Sequence, residues 1–168
     1  MTIIESRNLM TRLQTGTLPK TDAQITILLR KILVQMARDQ GKEVYSTQYD
    51  YNKAFNRVNR SRLWLKMYKM GITGKLWLNI AATYSNHSET ISIGDVTTDP
   101  QTLMNGLRQG SILSPILFAL YLNELADMLE ETQTGIDAGI AGCGKIPALM
   151  YVDDVEPIDR PSERIPAE

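Results

Sequence analysis

Residues 146–155 read IPALMYVDDV, an apolar run that ends in two adjacent carboxylates. The run reads as a short buried strand. Asp153 and Asp154 at its end repel each other and are costly to bury without a partner. The strand therefore has to stop at an edge open to water or to a cation. A surface turn also accommodates an isolated Asp pair, so the rest of the chain has to decide between the two.

A chain of 168 residues fits one domain able to bury roughly 70% of its unfolded surface. With 43% hydrophobic and 22% charged residues it reads as soluble and globular rather than disordered. The N-terminal MTIIESRNLMTRLQ has no basic region followed by a long apolar core, so no signal peptide is read. The longest apolar stretch, SPILFALYL, is far short of the ~20 residues of a membrane span. An intracellular location, cytoplasmic or nuclear, is expected, without membrane contact. Cys143, the single cysteine, excludes an internal disulfide and suits a reducing compartment. The formal charge of −1 argues against binding nucleic acid by bulk electrostatics alone. The charge is uneven, however, with seven Lys or Arg and no acid between Lys53 and Lys75. That run fits either a solvated helix face or a phosphate-facing patch.

From Thr21 to Gln40, Ile25, Leu28, Leu29, Ile32, Leu33 and Met36 recur at helical spacing, with Thr21 or Asp22 as cap and Gly41 past the end. EVYSTQYDY alternates aromatic and β-branched residues at period two, which predicts a strand with Asp50 at its end. SRLWLKMYKM and GKLWLNIAATYS predict a pair of amphipathic helices joined by a Gly-Ile-Thr-Gly turn. ETISIGDVTTDP predicts a hairpin around Gly94-Asp95, and Ser114-Pro115 open the apolar helix PILFALYLNELADML. The order gives a mixed α/β (α+β) domain with a mainly antiparallel sheet packed on helices. If the strands ending at Asp50 and Asp153 are neighbours, three carboxylates converge at one sheet edge. Hard cations such as Mg²⁺ relieve that repulsion, and two of them ~4 Å apart serve in-line nucleotidyl transfer.

YDYNKAFNRV (49–58), GLRQGSILSPILFALYLNEL (106–125) and YVDDV (151–155) resemble three consecutive signature motifs of reverse transcriptases. The connecting WLKMYKMGITGKLWLNI and SIGDVTTDP are similar to the LINE-type (non-LTR) retrotransposon branch, and the likeness covers roughly residues 15 to 155. The resemblance implies a polymerase palm with partial fingers. It implies an RNA-directed DNA polymerase that adds dNTPs to a primer 3′-OH on an RNA template and DNA primer, using two Mg²⁺ ions, or Mn²⁺ in their place. Asp50 and Asp153 match metal ligands, and Asp154 matches the second Asp of the box, close to the metals and the primer end. The carbonyl of Tyr51 matches a further metal ligand. Phe55 matches the aromatic "steric gate" that packs where a ribose 2′-OH would sit. Gln109 and Gly110 match the loop that touches nucleotide and template, while Ser111 and Pro115 serve as helix-start residues.

The sequence departs from the family at several points. Val152 stands where the branch often has Ala, Asn56 where Asp is common, and Gln48 interrupts a usually apolar strand. QTGTLPKTDAQ (14–24) is only distantly similar to the basic, Gly-rich fingers motif, so residues holding the triphosphate are not assigned. No counterpart of the return strand, primer-gripping segment or thumb is legible after Val155. The domain is expected over 1–155, with 156–168 as a poorly ordered acidic, Pro-rich tail. The Asp hairpin is then expected to have an unpaired edge. The alternative is a catalytically inactive retroelement-derived remnant acting as a binding or structural module, and the oligomeric state is not set by the sequence. His87 reads as an exposed loop residue, Cys143 as a turn residue, and Trp64 and Trp77 as core anchors.

Overall fold

The structure, a computed structural model, describes residues 9–17, 21–85, 87–138 and 144–159. Of the two caps open at the first helix, Asp22 is used: its carboxylate accepts the Ile25 N–H at 2.9 Å, and α1 runs Ala23–Asp39. The chain divides into two units, one of Met1–Asn52 with Leu122–Glu168, the other Lys53–Tyr121.

The first unit is built on an antiparallel sheet of β1 (Tyr45–Ser46), β8 (Ala148–Tyr151) and β9 (Asp154–Asp159), in the order β1-β9-β8. Leu149 and Ile158 pack with Leu33 and Ala37 of α1. Ala148, Met150 and Val155 pack with Ala126, Leu122, Leu125 and Leu129 of the helix α4, Leu113–Glu131. Both faces of β8 are thus covered, which is why its apolar run shows no polar alternation. Two short antiparallel strands, β6 (Ile136–Asp137) and β7 (Lys145–Ile146), continue the layer that holds Ile136 against α1. Of the stripe expected to be buried on α1, Leu33 alone is fully enclosed, joined by Ala37 from outside the stripe, and Leu28 and Ile32 face solvent.

Two expectations fail here. Residues 156–159 are not tail: they form the last four positions of β9, and Ile158 is 1% exposed. The hairpin therefore keeps a return strand, paired on both sides, and residues 160–168 lie outside the described residues. The sequence hid this strand because Pro157 sits in its middle, where proline is unexpected. The cost of that proline is visible in β1. Thr47 donates to Pro157 O at 3.3 Å, but Pro157 has no N–H to return, and the strand expected over 43–51 breaks into Tyr45–Ser46 and an isolated bridge at Tyr49. Gln48 in that gap is exposed, so its amide carries no burial cost.

In the second unit, Asn59 accepts the Arg62 N–H at 2.9 Å and starts α2, Arg60–Lys69, followed by α3, Gly74–Thr83. The expected hairpin forms from β3 (Ser92–Ile93) and β4 (Val96–Thr97) around Gly94-Asp95, and is extended by β2 (Ser88–Glu89) on β5 (Gln101–Thr102). Val58, Leu63, Met67, Leu117 and Leu120 are fully buried. Trp77 Nε1 donates to Trp64 O at 3.0 Å, and both indoles are half-buried. The basic run is not one solvated face. Arg60 is buried, and Lys66 donates to Tyr121 O at 2.6 Å with its ammonium 4.7 Å from the Tyr121 ring centre.

Truncating Ile158 to Ala is expected to lower stability by about 3 kcal/mol through lost burial and the cavity left behind. A urea titration reads this as a lower midpoint at unchanged slope. A change of only a few tenths would mean that β9 is not packed in the core.

Candidate active site

The position of Asp50 follows from one pair of backbone hydrogen bonds. Tyr49 N–H donates to Val155 O at 2.9 Å, and Val155 N–H donates to Tyr49 O at 3.2 Å. The bridge keeps the register of β1 on β9, in which Tyr45 faces Asp159 and Ser46 faces Ile158. One step further, that register sets Asp50 opposite Asp154. On the other side, Asp154 is paired with Tyr151 across the hairpin, and Asp153 is in the turn between them. Asp50, Tyr51, Asp153 and Asp154 are therefore gathered at one end of the sheet, as the sequence required if the strands were neighbours.

Burial, followed by the charges of Asp153 and then Asp50, raises the Asp154 carboxyl above its ordinary value. Asp154 thus lies within reach of the charges of both other carboxylates. Among the described residues none of them has a hydrogen-bond or ion-pair partner, and no three His, Cys, Asp or Glu side chains stand close enough to enclose a metal ion. The donor set nevertheless fits a hard divalent cation: it is all oxygen, it is strongly negative, and Asp50 and Asp154 are exposed enough to rotate. A cleft of about 360 Å³ opens beside it, lined by Ile27, Arg30, Tyr49, Asp50, Tyr151 and Asp154. Arg30 Nε crosses to Glu156 Oε1 at 2.7 Å there, so this cation is already engaged by a carboxylate outside the Asp cluster.

The remaining candidate residues belong to the second unit. Phe55 is half-buried and stacks on Phe118, with ring centres 5.0 Å apart at 29°. Its backbone carbonyl accepts the Leu107 N–H at 2.8 Å, and Gln109 Nε2 donates to Asn56 Oδ1 at 3.2 Å. The segment carrying Phe55 and the loop carrying Gln109 are therefore joined. The contact depends on Gly106, at φ 86°, where a Cβ would lie 2.9 Å from Asn56 O. Gly110 is exposed, with nothing within 4 Å of where a Cβ would be, which leaves its backbone open to close approach. Ser114 Oγ donates to Arg108 O at 2.6 Å and ties the loop to the start of α4.

Sequence reasoning missed Arg60. Its Nε donates to Gly106 O at 2.7 Å and its Nη1 to Leu103 O at 2.6 Å, and the guanidinium lies 5.1 Å from the Tyr84 ring centre. It anchors the approach to the Gln109 loop from inside, and burial is the main cause that lowers its pKa. Nothing in a basic run marks one member as buried. His87 corrects the other way: its side chain is only 10% exposed and lies 3.2 Å from Glu89 Oε1, because β2 on β5 folds that loop inward. Cys143 lies outside the described residues. Among the described residues no helix is long and apolar enough to cross a membrane.

Replacing Arg60 with Met should leave the Leu103 and Gly106 carbonyls without their charged donor and lower stability by about 3 kcal/mol, as chemical denaturation would read. An unchanged midpoint would show that water replaces the guanidinium freely.

Residues 2–156 match the model of the family described as reverse transcriptase (RNA-dependent DNA polymerase). Two relatives from Popillia japonica are each described as a retrovirus-related Pol polyprotein from type-1 retrotransposable element R2. One is 30% identical over 77% of this chain and 21% of its own length, the other 32% identical over 78% and 18%. The chain thus spans about a fifth of the length of these relatives. The family match takes in all three motifs: the chain belongs to the reverse transcriptase family, and it is similar to the LINE-type branch.

Proposed function

We propose that this chain supplies the palm of an RNA-directed DNA polymerase that extends a DNA primer on an RNA template with dNTPs. The observation that carries the reading is the Tyr49–Val155 bridge, which sets Asp50 opposite Asp154 beside the Asp153 turn. Asp50, Asp153 and Asp154 would hold divalent cations, Mg²⁺ or Mn²⁺ in its place, with the Tyr51 carbonyl as a further ligand. When bound, such ions neutralise the carboxylates, activate the attacking 3′-oxygen and stabilise the leaving oxygen.

The chain's own residues do the rest. The carboxylates orient the reacting phosphate through the charge they hold in place. Phe55, kept in position by Phe118, excludes a sugar carrying a 2′-OH. Gln109, steadied by Asn56, and the open backbone at Gly110 contact nucleotide or template. A catalytically inactive remnant is the weaker reading. Like charges from Asp153 and Asp50 press on Asp154, and a purely structural module has no use for such a cluster.

In primer extension with an RNA template, dNTPs and Mg²⁺ or Mn²⁺, Asp153→Asn should lower incorporation at least about a thousandfold, since a lost ligand removes several kcal/mol of charge stabilisation. Incorporation that survives Asp153→Asn contradicts the assignment. Asp154→Asn should be as damaging to activity, yet its melting temperature should equal or exceed that of the wild type, because the substitution relieves repulsion. A marked fall in melting temperature would mean the carboxylate is structural. Phe55→Val should raise the use of rNTPs relative to dNTPs by about tenfold or more, and an unchanged ratio would return Phe55 to a packing role.

A further inference from the structure

The turn between β8 and β9 has two central residues, Val152 and Asp153, and Val152 stands at φ 57°. Positive φ at the first central position alone is the II′ pattern, which suits glycine and strains a β-branched residue. Such a conformation persists only where the surroundings over-determine it. The ladder of β8 on β9 closes at Tyr151 and Asp154 and does not reach Val152.

A strap from the start of the chain reaches it instead. Gln14 is 1% exposed, and its side-chain amide takes both backbone groups of Val152. Oε1 accepts the Val152 N–H at 2.7 Å, and Nε2 donates to the Val152 carbonyl at 3.0 Å. Only one orientation of the amide satisfies both. Thr15 Oγ1 donates to Met150 O at 2.9 Å, and Met150 N–H donates to Leu13 O at 2.9 Å, so the strap also closes the outer edge of β8. Gly16 lies against the turn itself: a Cβ there would meet Val152 N at 2.8 Å and Val152 Cγ2 at 2.9 Å.

We propose that Gln14 is the positioning residue of the carboxylate hairpin. Its buried amide fixes Val152 in the strained conformation and so sets the direction in which Asp153 and Asp154 leave the turn. The inference rests on the reading of those carboxylates as a metal site, and adds to it a residue that touches neither metal nor substrate. The two bonds go to the turn rather than to the strand ladder, so their loss acts on the turn first.

The test compares the wild type, Gln14→Ala, and Gln14→Ala combined with Val152→Gly. Amide hydrogen exchange by NMR reads the turn, and Mn²⁺ titration followed by water-proton relaxation reads the site. In Gln14→Ala the Val152 amide should exchange at least about tenfold faster while Val155 and Ile158 keep their protection. Mn²⁺ affinity should fall about 10- to 100-fold, as it does when a ligand's outer support is removed. Adding Val152→Gly should recover most of that affinity, because glycine takes positive φ unaided. If Gln14→Ala does not fold, Gln14→Glu, which keeps the shape and the acceptor but loses the donor, carries the same comparison. A variant whose Val152 exchange and Mn²⁺ affinity match the wild type overturns the proposal, as does a loss that glycine does not recover. A wild type that binds no Mn²⁺ while Val152 still responds to the substitution overturns the metal reading and leaves the clamp standing.

Discussion

Two hydrogen bonds between Tyr49 and Val155 decide what the rest of the first unit is for. They lie where β1 has otherwise come apart at Pro157, and without them nothing in the ladder would keep Asp50 beside Asp154. A one-residue slip of β1 would turn every side chain to the other face. The helices on both faces of the sheet make such a slip costly on the β8–β9 side, where Leu149, Met150, Val155 and Ile158 are all buried. On the β1 side the strand is short and its side chains are exposed, so register there rests on the backbone pairs and on Val44 just before the strand, which packs against the Leu33 and Ile158 cluster.

The carboxylate end of the sheet works against the fold that carries it. Partial desolvation and two like charges press on Asp154, and Val152 holds a backbone angle that its side chain resists. Both costs fall within one hairpin. The offsets are local as well: apolar packing on two faces, the Gln14 amide on the turn, and a strap along the open edge of β8. Strain and unpaired charge gathered at one place, with rigid support around them, are the arrangement expected of a site built to bind something.

Much of this was legible in the sequence, and the failures have physical causes. The Asp pair, the hairpin at Gly94-Asp95 and the Asp22 cap are local signals, and local signals survive folding. The strand after the Asp pair was lost because Pro157 and its acidic neighbours look like a tail until β1 and β8 are seen on either side of them. Gln14 and Val152 are 138 residues apart, and a glutamine among threonines and a glycine gives no hint of what its amide will reach. Arg60 was one cation among seven, and only the carbonyls of Leu103 and Gly106 set it apart.

In the function proposed, Asp50, Asp153 and Asp154 form one divalent-cation site at the end of the β1-β9-β8 sheet. Paramagnetic broadening of backbone amide signals by Mn²⁺ tests it most directly, because it maps where the ion sits without requiring turnover. Amides of residues 49–51 and 151–155 should broaden together at the lowest Mn²⁺ concentrations, and Asp153→Asn should abolish the effect at both segments. Broadening that begins elsewhere, such as along the acidic end of α4 at Asp127 and Glu130, or that touches one segment without the other, would contradict it.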